Sequence, residues 1–208
     1  MTIVRSKSTP AGATAVAAAP RLLFEAARRA EAMGLVEPGA VTRGDAAAVR
    51  HLASRVRRAG IATSAADELN NVETPAAHDI AALLETVIAA LEASPAPKFE
   101  WGGLARVFAP DELGALLNVS ASSLKRYQSG DRATPDPIAA RLHFLALVVG
   151  DLAGSYNDVG IRRWFQRKRT PLNGRAPAAI LAGDWDPDEE GPGKVRQLAR
   201  ELTSLSAT

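Results

Sequence analysis

The chain predicts an all-α protein: a helix-turn-helix DNA-binding core, a helical extension before it and a C-terminal helical region after it. Three observations lead there. Apolar residues recur at spacings of three and four, with almost no alternation of β-branched side chains. Alanine is abundant and aromatic residues are only 5% of the chain. The stretch Pro110 to Gly130, PDELGALLNVSASSLKRYQSG, reads as two short helices joined by a tight turn.

Residues 1–19, rich in Ala, Thr and Ser, lack apolar periodicity and are expected to form a flexible arm whose Arg5 and Lys7 can brush DNA. Residues 20–95 form a helical region. Its first helix runs from about Pro20 to Met33 on Leu22, Leu23, Phe24 and Ala27, and Gly34 ends it. A second, from about Gly44 to Ala59, places Ala48, Leu52 and Val56 on one face and Arg50, Arg55, Arg57 and Arg58 elsewhere. Those arginines are either a second phosphate contact or a solvated face whose positive end complements the helix dipole. Thr74 is placed to cap a third helix with Pro75 in its first turn, and Ile80, Leu84, Val87 and Leu91 carry its stripe to Ser94. SPAPK, Ser94 to Lys98, reads as a linker.

Residues 96–136 hold the DNA-binding core. A short helix from Trp101 to Phe108 is expected to pack beneath it. Leu113, Leu117, Val119, Leu124 and Tyr127 have the spacing of two helices crossing steeply over a small core, and Gly114 marks their close approach. Asn118 takes the turn position, which needs a left-handed backbone that Asn tolerates. Ser120 is a good N-cap for the second helix. The residues expected to meet double-stranded DNA are Ser120, Ser122, Ser123, Lys125, Arg126, Gln128 and Arg132. In this geometry the second helix enters the major groove, where hydroxyls and Gln reach base edges and Lys and Arg meet guanine or phosphate. Ser123 and Gln128 are the expected base contacts.

Residues 137–208 form the C-terminal region. Asp136 can cap a helix with Pro137 in its first position, and Ile138, Leu142, Leu145, Val149 and Leu152 then make a stripe that needs a cover. That cover is either the N-terminal helices or a second copy of the chain in a homodimer. Next comes a segment in which Arg162, Arg163, Arg167, Lys168, Arg169 and Arg175 surround Trp164 and Phe165, with no acidic residue before Asp184. Pro171 is expected to stop the helix, Gly174 to permit a turn, and Pro177 to start a short helix that ends at Gly183.

The series Trp164, Pro171, Leu172, Gly174, Arg175, Pro177, Leu181 and Gly183, closed by a helix with Val195 and Leu198, gives this part a second signature. In that order, behind a helix-turn-helix and a long helix, the chain resembles the Xre/MbcA/ParS antitoxins that accompany RES-domain toxins. The resemblance spans about Phe99 to Leu205. It implies a repressor whose helix-turn-helix region supports operator binding or dimerisation and whose C-terminal segment neutralises a NAD-consuming RES-domain toxin. Carried over by position, Trp164, Leu172, Arg175 and Pro177 shape the toxin-binding segment; Arg167 and Arg169, the latter where the family often has Asn, are expected with Arg175 either to face an acidic or phosphate-binding cleft on the partner or to meet DNA phosphates. The alternative is a stand-alone or phage-type DNA-binding repressor without a toxin, which the additional N-terminal helices favour.

Other classes find little support. His51, His78 and His143 lie far apart, and none sits in a metal-ligand or nucleophile spacing, so no catalytic residue, metal or cofactor is expected. Asp184, Asp186, Asp188, Glu189 and Glu190 lack the glycine and terminal glutamate of a calcium loop and read as a solvated acidic loop. The absence of cysteine removes disulfides and thiol chemistry. No apolar run has membrane-spanning length and no basic-then-apolar leader opens the chain, so no membrane contact and a cytoplasmic location are expected. The net charge of +2 hides a basic-rich stretch up to Gly60 and an acidic one from Ile61 to Glu100.

Overall fold

Helix follows helix, as the spacing of apolar residues requires. The computed structural model describes residues 11–71 and 77–205, and among them no strand forms, only a single antiparallel bridge between Arg169 and Arg175. The helices are α1 (Ala11–Ala32), α2 (Ala46–Arg58), α3 (Thr63–Asn71), α4 (Ala77–Ala93), α5 (Pro97–Val107), α6 (Pro110–Leu117), α7 (Ala121–Ser129), α8 (Asp136–Leu152), α9 (Asp158–Gln166), α10 (Pro177–Ile180) and α11 (Glu190–Leu205). The expected Thr74 and Pro75 cap, and Arg5 and Lys7, lie outside the described residues.

The architecture is set by α8. Every residue from Arg141 to Leu152 is buried, so the helix has a covered face in every direction rather than one stripe. α1, α5 and α11 pack against it, and α6 touches its other end. Its apolar stripe is therefore covered within the chain, and the argument for a second copy as its cover falls away. One core runs from Leu22 on α1 to Ala199 on α11.

Charged groups enter this core in pairs. Arg29 on α1, 6% exposed, reaches Glu25 at 2.7 Å, Glu92 on α4 at 2.9 Å and Asp151 on α8 at 3.4 Å. From α11, Arg200 reaches Glu92 at 2.8 Å and Arg196 reaches it at 3.3 Å, with Asp151 3.6 and 3.7 Å from the same two arginines. Burial alone would raise the pKa of Glu92, but the three arginines outweigh it and hold the carboxyl below its ordinary range. For Asp151 burial wins, and its pKa is raised despite the same arginines. Nearby, the His143 Nδ1 lies 2.6 Å from the fully buried Glu100, and its Nε2 lies 3.0 Å from the Glu92 carbonyl oxygen. Burial works against charge on this ring, yet the hydrogen bond and negative charge of Glu100 lift the pKa above the ordinary 6.5.

Several expectations are corrected. α1 begins at Ala11, so residues 11–19 are helical rather than an arm, and Pro20 lies inside the helix rather than at its start. An alanine-rich run carries helix propensity without a periodic pattern, which is why spacing alone misses it. α3 was not foreseen. Pro97 already opens α5, so the linker shrinks to the residues between α4 and Pro97. Pro135, not Asp136, occupies the N-cap of α8. α9 stops at Gln166, before Pro171, which instead opens a single 3-10 turn over Thr170–Leu172. The acidic stretch is not simply solvated: the Asp184 carboxylate takes the Arg141 guanidinium, Trp185 is 3% exposed, and Glu190 already begins α11.

Two tests follow from this packing. α1 and α5 touch backbone to backbone, since a Cβ on Gly103 would stand 2.2 Å from the Ala32 carbonyl oxygen. Gly103→Ala should destabilise the protein by about 1–3 kcal/mol in urea unfolding. Gly102→Ala, whose Cβ would meet nothing within 4 Å, should be neutral or slightly stabilising. Equal effects would contradict the close approach. The raised His143 pKa means that its stabilisation is complete below the ordinary 6.5 and is lost as pH rises through the folded value. The stability gap between wild type and His143→Gln should therefore shrink as the pH rises above about 6.5. A gap that widens with pH would refute the assignment.

Candidate nucleic-acid interface

α6 opens with Pro110, and its Glu112 carboxylate accepts the Ala109 N–H at 3.0 Å, which satisfies one of the free donors at the helix start. The helix ends where Asn118 adopts φ 53° and ψ 48°, a left-handed conformation as the turn requires. A Cβ on Gly114 would stand 3.1 Å from the Val119 carbonyl oxygen, so glycine lets the turn fold back onto α6. Ser120 caps α7, its Oγ accepting the Ser123 N–H at 3.2 Å. Leu113, Leu117 and Leu124 are buried between the two helices and the body, and Val119 is half-buried at the turn.

The orientation of α7 is fixed from below. Tyr127 stacks on Trp101 of α5 with ring centroids 5.9 Å apart, and the Trp101 indole N–H donates to Thr134 at 2.9 Å. The far side of the Tyr127 ring region carries the Arg132 guanidinium, 5.6 Å from its centroid. α6 is held to the C-terminal segment, because the Trp185 indole N–H donates to the Leu116 carbonyl at 2.9 Å while its ring meets Phe144 edge-on. Sequence reasoning had missed Trp185 because acidic neighbours surround it.

The expected DNA-contacting residues fall on one small region. Ser122, Lys125, Arg126, Gln128 and Arg132 are exposed. Ser120 is exposed but engaged as the cap, and Ser123 is half-buried with its Oγ accepting from Ser120 at 3.1 Å, so Ser123 is poorly placed for a base edge. Lys125 and Arg126 have no ion-pair partner among the described residues, in contrast to Arg29, Arg141 and Arg196 in the core.

The residues expected to bind a toxin separate into two sets. Trp164, Leu172 and Pro177 are buried, with Trp164 edge-on to Phe165 and Phe165 edge-on to Phe108. Arg169 is half-buried, its guanidinium 5.4 Å from the Trp164 ring centroid and its backbone bridged to Arg175. Arg167 and Arg175 are exposed, and Arg175 donates to the Ala179 carbonyl. On α2, Arg55 donates to the Leu35 carbonyl at 2.6 Å and Arg57 pairs with Asp67, which leaves Arg50 and Arg58 exposed and unengaged.

Among the described residues no three His, Asp or Glu side chains converge as metal ligands. A groove of about 610 Å³ passes Glu92, His143, Arg196 and Arg200, but the two arginines are already paired with Glu92 and Asp151, and His143 with Glu100. No family model, curated protein or solved structure matches the chain.

Ser120→Ala should cost about 1 kcal/mol in thermal unfolding, and Ser120→Asp should restore most of it. No loss on replacement by Ala would show that the cap does not hold α7.

Proposed function

We propose that the chain is a DNA-binding transcriptional repressor that reads duplex DNA with α7. The observation that carries this is the α6–turn–α7 unit, whose outer face presents Ser122, its hydroxyl 3.1 Å from that of Ser120, beside Lys125, Arg126 and Gln128, which have no side-chain partner among the described residues. Gln128 is suited to a base edge, and Lys125 and Arg126 to guanine or phosphate. Arg132, stacked on Tyr127, is held where it can meet the backbone. Such a protein represses by occupying DNA that the transcription machinery needs.

The resemblance to Xre/MbcA/ParS antitoxins adds a RES-domain toxin to this reading. What favours it is that the ordered series closes on itself, with Trp164, Leu172 and Pro177 as its core and Arg169 bridged to Arg175. The toxin would then be met by the exposed Arg175 and its neighbours rather than by the tryptophan. A RES-domain toxin encoded beside this gene and copurifying with the chain supports the antitoxin; a chain that represses with no such neighbour is the stand-alone repressor.

Selection from a pool of random duplexes should return one sequence motif. The double change Arg126→Ala and Gln128→Ala should then weaken binding to it by about 1–3 kcal/mol with helicity unchanged. Undiminished affinity would remove α7 as the reading helix.

A further inference from the structure

Glu112 of α6 and the C-terminal half of α9 line one shallow groove. Successive residues turn by about 100° in an α-helix, so Glu112 lies about 200° round α6 from Gly114, the residue that approaches the turn into α7. Glu112 faces Arg162, Arg163, Gln166 and Arg167 across a shallow groove of about 490 Å³. The two polar faces therefore flank α6: the one on α7, and a cationic one formed by α9 and its C-cap Arg167.

The arginines of this second face are not equivalent. Arg162 is spent inside the chain, donating to the Val107 carbonyl at 2.9 Å. Arg163 and Arg167 are exposed, and neither has an acidic partner within ion-pair distance among the described residues. They lie four residues apart, hence on one side of the helix end, with Gln166 as a neutral donor beside them. The Glu112 carboxylate, which accepts the Ala109 N–H, offsets only one of the three arginine charges that line the groove, so the groove stays cationic.

What such a face binds is decided by what it lacks. A stable protein interface needs an apolar or aromatic anchor at its centre. Here Trp164, Phe165 and Leu172 are turned inward, and among the described residues the one exposed large apolar side chain is Val159, one turn before Arg163. Phosphodiester contacts need no such anchor; cations and neutral donors suffice.

We infer that Arg163, Gln166 and Arg167 form a second duplex-contacting surface, gripping the sugar-phosphate backbone beyond the stretch read by α7. This rests on the repressor reading above and extends it. The surface adds affinity without reading sequence, because phosphates are alike at every base pair.

The test compares two double variants of the full chain, Arg163→Ala with Arg167→Ala, and Arg126→Ala with Gln128→Ala, against the selected duplex and a random duplex of equal length over a range of salt. The α9 variant should weaken binding to both duplexes by the same factor and lower the slope of log affinity against log salt by about 0.9 for each contact removed. The α7 variant should weaken the selected duplex more than the random one. Arg21→Ala with Arg43→Ala, two exposed arginines given no part in DNA contact, controls for loss of charge alone and should leave the slope nearly unchanged. An α9 variant with wild-type affinity and slope, beside an α7 variant that loses specificity, overturns this inference while leaving the repressor reading intact, and leaves the face to an acidic protein. A wild-type chain that binds no duplex overturns both. Circular dichroism checks that each variant folds, which the exposure of the changed side chains favours.

Discussion

A helix with no exposed face cannot be left with unpaired charges, and α8 carries Arg141, His143 and Asp151 in its buried length. Their partners come from almost every part of the chain: Arg29 from α1, Glu100 from α5, Arg196 and Arg200 from α11, and Asp184 from the segment before it. Apolar packing alone would tolerate small slips of one helix along another. Paired charges do not, because a slip of one turn strands a charge in the core. Removing one member of such a buried pair costs about 3–5 kcal/mol, most of it from the partner left behind. The cluster therefore sets register more than it adds net stability.

This bears on how α7 is presented. Neither α6 nor α7 takes part in the charge cluster; both are attached to the body by a few directed contacts, Trp101 under Tyr127 and the Trp185 indole on the Leu116 carbonyl. Trp101 sits on α5, whose own position is fixed by Glu100 against His143 and by the close approach of Gly103 to the end of α1. Helices from before residue 96 thus support the element proposed to read DNA. They are part of one body with it rather than an appendage.

The sequence made the apolar skeleton readable, because spacing reports which faces are covered. Leu113, Leu117 and Leu124 around a left-handed Asn118, the stripe of α8, and the turn at Gly174 could all be read from local pattern. Partners distant in the chain could not. Arg29 and Asp151 are 122 residues apart, and each taken alone looks like a solvated surface charge. The start of α1 was hidden by alanine, which favours helix without marking a face. Trp164, expected on a toxin-binding surface, is instead buried edge-on to Phe165, and only the fold shows that it packs its own segment and leaves the exposed arginines outside.

All three tryptophans, Trp101, Trp164 and Trp185, lie after residue 96, whereas α1 to α4 contain none. Equilibrium unfolding in urea, followed on the same samples by tryptophan fluorescence and by far-ultraviolet circular dichroism, therefore compares the C-terminal half with the whole. A single body built around α8 predicts superimposable transitions with one midpoint. Two separated transitions, with much of the helical signal lost while fluorescence is unchanged, would show that the N-terminal helices fold apart from the DNA-reading half and would contradict the account.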